Sequence, residues 1–338
     1  MALVSINGFE DAAELSGGTG NPINAAGRNG NCLGLGSGLS GAGTWKLPAF
    51  TPNATVTFGF AFRQDVMPGA MSSNNWVLLV YASDGLTDQV RICMGANGQV
   101  ALYRAGTQII GAISATGVVP VAQWCYVECQ LFCHDTAGTA VVRVNGTTVI
   151  SVSAVDTKNS ASLANYGFLG FTANAGATPT NTRWDDLYLM AGAGDSFLGD
   201  AKVETLYPNG NGAASQWVGS DADSVNNYLL VNETGAPVTT TYTASSVTGN
   251  QDLYTLDDLV STAGTVLGVC HAAHAAKSDA GVQDLKVVNR GSAATRSAAV
   301  GLTTTYTTFY YPLSTNPDTG SAWTIADVNA LQGGVETV

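Results

Sequence analysis

The chain has 338 residues, 45 % of them hydrophobic and only 11 % charged, with 25 acidic side chains against 13 basic ones. A formal charge of -12 without any basic run lacks the footprint of a nucleic-acid binder or of a protein drawn to anionic membranes. No stretch approaches the ~20 apolar residues of a membrane span, and Met1–Gly18 lacks the basic-then-apolar order of a signal peptide. The expectation is therefore a chain made in the cytoplasm that does not insert into a membrane.

The length suggests about two domains, and the abundance of Gly, Thr and Ser suits short strands joined by turns. Thr55–Phe62 alternates, with Phe58, Phe60 and Phe62 on one face. Trp76–Tyr81 is a near-continuous apolar run, which predicts a strand buried on both faces. Gln89–Met94 and Gln99–Arg104 flank Asn97-Gly98, and Ala140–Val144 and Thr147–Val152 flank Asn145-Gly146. Both pairs predict hairpins, because the tight turn needs positive φ that Asn and Gly accept. Tyr166–Phe171 and Arg183–Met190 complete a set spaced like a β-sandwich.

Ala191–Gly194 is the best linker, with no side chain larger than methyl. Beyond it, strands are predicted at Asp200–Tyr207, Asn227–Asn232, Thr239–Ser245, Thr265–His274, Gln283–Asn289 and Thr303–Tyr311. Thr324 should cap a short helix Ile325–Leu331, with Gly333-Gly334 stopping it and Val335–Val338 as a last strand. The expected fold class is all-β: a jelly-roll sandwich over residues 1–193, then a smaller β-sandwich domain over 194–338 with one short C-terminal helix.

Residues 125–133 read Cys-Tyr-Val-Glu-Cys-Gln-Leu-Phe-Cys, with His134 next. Alternation places all three cysteines on one strand face, with Glu128 and Gln130 on the other. Four residues of strand span about 13 Å. That is too far for two ligands of one zinc ion or for a disulfide within the run. The cysteines are therefore read as small core residues, with pairing to Cys32, Cys93, Cys270 or another chain left open.

His271 and His274 would point to opposite faces of a strand, and His134 sits in a turn, so no shared metal site is expected. Asp185 and Asp186, adjacent on a strand, should also diverge and form no dyad. The chain contains no Glu-x-Asp-x-x-Glu, Gly-x-Ser-x-Gly or phosphate-loop pattern. No catalytic residue, cofactor or metal ligand is assigned. The sequons at Asn53, Asn145 and Asn232 are read as turns. Most of the six tryptophans are read as core. Trp217 follows a Gly- and Asn-rich loop, so two readings stand: packing, or an exposed contact with a sugar or partner protein alongside Asn209, Asn211 and Gln216.

The strand from Trp124 carrying Glu128, followed by Ala140-Val-Val-Arg-Val-Asn-Gly-Thr-Thr-Val-Ile150, resembles the laminin-G-like or concanavalin A-like jelly roll. Ile6–Asp11 and Arg183–Tyr188 resemble that family's first and last strands, which pair. Phe197–Pro208, Gln216-Trp217, Tyr242–Ser246 and Pro317–Leu331 resemble segments of bacteriophage virion proteins that join such a jelly roll to a second β-domain. This resemblance implies a non-enzymatic virion structural protein on capsid or tail. Its implied partners are other virion proteins and copies of itself, with a host surface glycan as a further ligand. The alternatives are a tail-tip or free-standing carbohydrate-binding module and, behind it, a polysaccharide depolymerase.

Overall fold

The computed structural model describes all residues except 13–14, 25, 37–41, 68–75, 82, 86, 96, 105–106, 161, 173–180 and 236–237. The chain divides into two compact units, Met1–Val203 and Glu204–Val338.

The first unit runs β1 (Leu3–Asn7), β2 (Ser16–Thr19), β3 (Ile23–Asn24), β4 (Cys32–Leu35), β5 (Ala42–Lys46), β6 (Thr55–Gln64), β7 (Trp76–Tyr81) and β8 (Asp88–Met94). It continues with β9 (Val100–Arg104), β10 (Thr107–Ile113), β11 (Cys125–Phe132), β12 (Gly138–Val144), β13 (Thr147–Val155), β14 (Phe168–Thr172) and β15 (Thr182–Met190). Two sheets result, in the orders β13-β12-β11-β6-β15-β4-β3, with β1 also on β15, and β10-β9-β8-β7-β14-β5-β2. β7–β10 and β11–β13 each run on within one sheet, and elsewhere the chain crosses repeatedly between the two sheets, as in a jelly roll. The first and last strands pair antiparallel, Ile6 opposite Tyr188.

The inner faces meet in one core. Phe58, Phe60 and Phe62 lie at most 1 % exposed beside Trp184 and Phe171. Asn145 (φ 49) and Gly146 (φ 77) form the predicted hairpin turn, and the Asn145 side chain accepts a hydrogen bond from the Tyr126 amide (2.8 Å). Cys125, Cys129 and Cys133 all face this core, as the alternation predicts. The opposite face of β11 is buried too: Tyr126 and Glu128 are 2 % and 1 % exposed. Of the other tryptophans, Trp45, Trp184, Trp217 and Trp323 are buried, whereas the side chain of Trp76 lies outside the described residues.

What buries the outer face of the first sheet is the segment 191–203. Leu198 and Ala201 pack on Ala61, Tyr126, Tyr188 and Met190, and the Phe197 ring lies 4.2 Å from the Arg143 guanidinium carbon. The Gly-rich stretch 191–194 therefore opens a strap laid over the sandwich, and the division between units falls after Val203 rather than at 193/194.

The second unit contains β16 (Pro208–Ser215), β17 (Val218–Gly219), β18 (Thr243–Ala244), β19 (Gln251–Leu256), β20 (Val269–Ala275), β21 (Asp284–Arg290), β22 (Ala294–Arg296), β23 (Val300–Gly301), β24 (Thr307–Leu313), α1 (Ile325–Asn329) and β25 (Gln332–Thr337). Its main sheet has the order β16-β19-β25-β21-β22, with β23 also on β21, and β20 and β24 form a separate ribbon. The ribbon is tied to the sheet by His271 and Asn289, 2.7 Å apart.

Several expectations are corrected from residue 200 onward. Residues 200–207 form no strand, because 198–203 hydrogen-bond to first-sheet side chains instead of to a strand. Asn227–Leu230 is a 3-10 turn, since the Asn227 amide is drawn inward to Trp217 and Asp252. Thr239–Ser245 keeps only the two residues of β18. The helix forms with a full Thr324–Asp327 capping box, but Gly333-Gly334 lies inside β25 instead of stopping it. A Cβ on Gly334 would stand 2.0 Å from the Asp252 carbonyl oxygen, and one on Gly333 2.6 Å from His271 Nδ1. Those glycines serve close approach.

Candidate functional site

Of the four residues singled out as a contact site, Asn209 and Asn211 lie on β16, the edge strand of the main sheet, with Gln216 and Trp217 just after it, and all but Trp217 are exposed. Asn209 and Asn211 belong to β16, antiparallel to β19. Asn209 donates to the Leu256 carbonyl (3.0 Å) and accepts from Thr255 (2.7 Å). Asn211 accepts from the Tyr228 amide and Gln216 from the Gln251 amide. Trp217 is 9 % exposed and its indole donates to the Asn250 carbonyl (3.1 Å). The packing reading of Trp217 holds. The Asn-Gly alternation looked like a loop because it lacks β-formers, and cross-strand pairing supplied what local propensity did not.

His134 accepts from the Thr136 and Ala137 amides of its own turn. Burial lowers the basicity of His271, its hydrogen bond with Asn289 working the other way, while His274 lies within 3.0 Å of Thr308 and stacks on Tyr306. The two imidazoles of the H-x-x-H do diverge.

Asp185 and Asp186 do not diverge. Between Asp185 and Tyr188 the register of β15 against β6 shifts, and Asp186 takes φ 49. This bulge turns both carboxylates outward, where they hold one loop. Asp185 accepts from the amides of Arg28 (2.6 Å), Asn29 (3.3 Å) and Asp186 (2.8 Å). Asp186 accepts from the Asn29 side chain (3.0 Å) and the Val203 amide (2.8 Å), with Arg28 3.4 Å away. Glu10 accepts from the Asn31 amide (3.1 Å) on the same loop. Burial, reinforced by the neighbouring Asp186, pushes Asp185 up to about 7, and burial also raises Asp186 and Glu10. These oxygens face N–H donors, an arrangement that staples loop and strap. Among the described residues, no group of three or more His, Cys, Asp or Glu is placed to hold a metal ion.

A second arrangement was missed from sequence because its members are far apart in the chain. Register carries one row across the outer face of the second sheet: Lys46 opposite Gly170, Gly170 opposite Leu79, Leu79 opposite Arg91, Arg91 opposite Tyr103, and Tyr103 opposite Gln108. Tyr81 leans over Gly170, where a Cβ would meet its ring at 2.4 Å, and Lys46 Nζ lies 4.8 Å from that ring's centre. Arg91 is held by Asp88 (2.7 Å). Two cations and an amide thus share this row with the rings of Tyr81 and Tyr103, which are buried at 7 % and 8 % exposure. Only the Arg91/Cys93 alternation hinted at it locally.

No protein-family model and no curated protein matches the chain. Among solved structures, an alginate lyase, Aly36B, bound to an alginate trisaccharide, is similar over 56 % of this chain and 98 % of its own, at 12 % identity and TM-score 0.38. SCLam, a family GH16 endo-β-1,3(4)-glucanase, is similar over 55 % and 89 %, at 14 % identity and TM-score 0.35. The binding domain of botulinum neurotoxin DC in complex with SialylT is similar over 54 % and 44 %, at 14 % identity and TM-score 0.35.

Proposed function

We propose that the chain is a non-enzymatic structural protein of a bacteriophage virion, on capsid or tail. The observation that carries this reading is the segment Phe197–Pro208, whose sequence resembles virion proteins. Its first part seals the outer face of the sandwich through Glu128 and Asp186. Buried carboxylates that catalysis would employ are spent here on fastening chain to chain. Rigid sandwiches of low charge suit repeated contacts with like subunits. The test is mass spectrometry of purified particles: the protein should co-purify at a stoichiometry comparable to other structural components, and its absence sinks the reading.

A second reading, glycan contact by the first unit, is favoured by the Lys46–Tyr81–Arg91–Tyr103–Gln108 row. Lys46, Arg91 and Gln108 set donors that reach hydroxyls over the Tyr81 and Tyr103 rings, themselves only 7 % and 8 % exposed. Glycan-array binding that Lys46→Ala and Arg91→Ala both abolish, without release of reducing ends, is the expected result for a lectin. Reducing-end release would instead identify a depolymerase.

A further inference from the structure

Asp252, on β19, and Asn227, in the turn Asn227–Leu230, are both fully buried, at 0 % exposure. The Asn227 amide nitrogen donates to Asp252 Oδ2 (2.8 Å) and to the Trp217 carbonyl (3.0 Å). Tyr254 donates to the same Oδ2 (2.7 Å). The other oxygen of each group, Asp252 Oδ1 and Asn227 Oδ1, has no donor among the described residues. Two acceptors left without a donor on one bonded, buried pair call for a cause.

The amide cannot supply the donor. Both Asn227 N–H bonds are spent, and turning the amide over would set its oxygen against two acceptors. The neighbouring hydroxyls are engaged elsewhere: Ser215 donates to the Ser224 carbonyl (3.2 Å), and Thr243 pairs with Tyr254 (3.2 Å). The groups that face Asp252 are Tyr254 on its own strand, Asn227 in the turn, Ser215 on β16 and Thr243 on β18, with Val335 opposite it on β25. None of these is a cation, so a charge on the carboxylate would stand unbalanced. Burial raises the Asp252 carboxyl above its ordinary range, the hydrogen bonds from Tyr254, Asn227, Ser215 and Thr243 working the other way.

We propose that Asp252 is a neutral carboxylic acid whose Oδ1–H donates to Asn227 Oδ1, and that this acid–amide pair is a pH-dependent latch on segment 217–230. One proton serves both oxygens and removes the charge. The latch closes a loop, since Asn227 also holds the Trp217 carbonyl and the Trp217 indole holds Asn250 beside β19. Loss of the proton leaves a buried charge against the Asn227 oxygen, and the turn opens to relieve it. The folded value lies above the unfolded 3.8, so the latch is fully closed below 3.8 and weakens as pH rises through the folded value. The opening constant grows about tenfold for each unit between the two values.

Carbon-13 spectra of the full chain labelled at aspartate read the titration, with Asp252→Asn identifying the Asp252 signal. Its midpoint should lie above 3.8. Hydrogen exchange of amides 227–231 should give an opening constant that rises from about pH 4 to that midpoint and then levels off. In Asp252→Asn a side-chain N–H replaces the acid O–H, so the opening constant should stay level. Where Asp252→Asn does not fold, Tyr254→Phe identifies the signal instead: it removes a hydrogen bond to the charged form and should move the midpoint higher. A midpoint at or below 3.8 overturns the proposal and assigns the two oxygens to a buried water or cation. A raised midpoint with a level opening constant in wild type overturns the latch.

Discussion

Tyr188 donates its hydroxyl hydrogen to Glu128 across 2.6 Å, and the two side chains are 3 % and 1 % exposed. The same carboxylate oxygen accepts the Gly199 amide (2.8 Å), and the Leu198 amide reaches Tyr188 Oη (3.2 Å). One buried pair thus joins β11, β15 and the strap.

Glu128→Ala should therefore cost the first unit about 3–5 kcal/mol, because it strands a buried hydroxyl and an amide while removing packed volume. Tyr188→Phe, which leaves Gly199 paired with Glu128, should cost about 1–3 kcal/mol. Denaturant melts read the difference. Hydrogen exchange should show amides 198–199 opening in Glu128→Ala well before those of β11. Equal protection across strap and sheet would show that the strap is not fastened there.

Asp185 sets a pH dependence of unusual sign. Its folded pKa, raised by burial to about 7, lies above the unfolded value of 3.8. The stability linked to its protonation is fully present below the unfolded value and is lost as pH rises through about 7. Asp186 and Glu10 are shifted in the same direction. The melting temperature of the first unit should rise as pH falls from about 8 to 5, and Asp185→Asn should flatten that slope. A wild-type slope equal to that of Asp185→Asn would assign the dependence elsewhere.

The first unit was largely legible because its strands alternate cleanly and its hairpin carries Asn145-Gly146 at positive φ. The thiol run Cys125–Cys133 was legible for the same reason. The carboxylate staple was not, since a one-residue bulge at Asp186 reverses a side chain and leaves no local signature. In the second unit the strands are poor in β-formers: Pro208–Ser215 reads as a loop and Gly333-Gly334 as a stop. Pro208–Ser215 becomes a strand through pairing with β19, and Gly334 through pairing with Leu253 on one side and Val288 on the other.

The thiols give a direct chemical check. Burial pushes Cys32, Cys93, Cys125 and Cys133 up to about 12, and Cys129 higher still. At pH 8 a thiol of pKa 12 is thiolate in roughly one molecule in ten thousand. A thiol-specific reagent should therefore label at most Cys270, which is only half-buried, in the native protein within minutes. All six should react after unfolding. Rapid native labelling of any residue in 125–133 would mean that β11 does not face the core.

Gly334 tests the second unit. Gly334→Ala places a methyl 2.0 Å from the Asp252 carbonyl oxygen, a backbone atom fixed by the β19–β25 pairing. Relief requires that strands near the middle of the sheet separate, so the cost should reach or exceed the ~3 kcal/mol upper range of ordinary overpacking. Gly333→Ala meets a His271 side-chain atom instead (2.6 Å). The ring can shift there only by loosening its contact with Asn289, so a smaller loss is expected. Gly194→Ala, with nothing within 4 Å of the added carbon, is the control and should stay within about 0.5 kcal/mol of wild type. Thermal melts of the three variants should rank Gly334→Ala lowest. A Gly334→Ala melt matching the control would mean that β19 and β25 are not paired in this register.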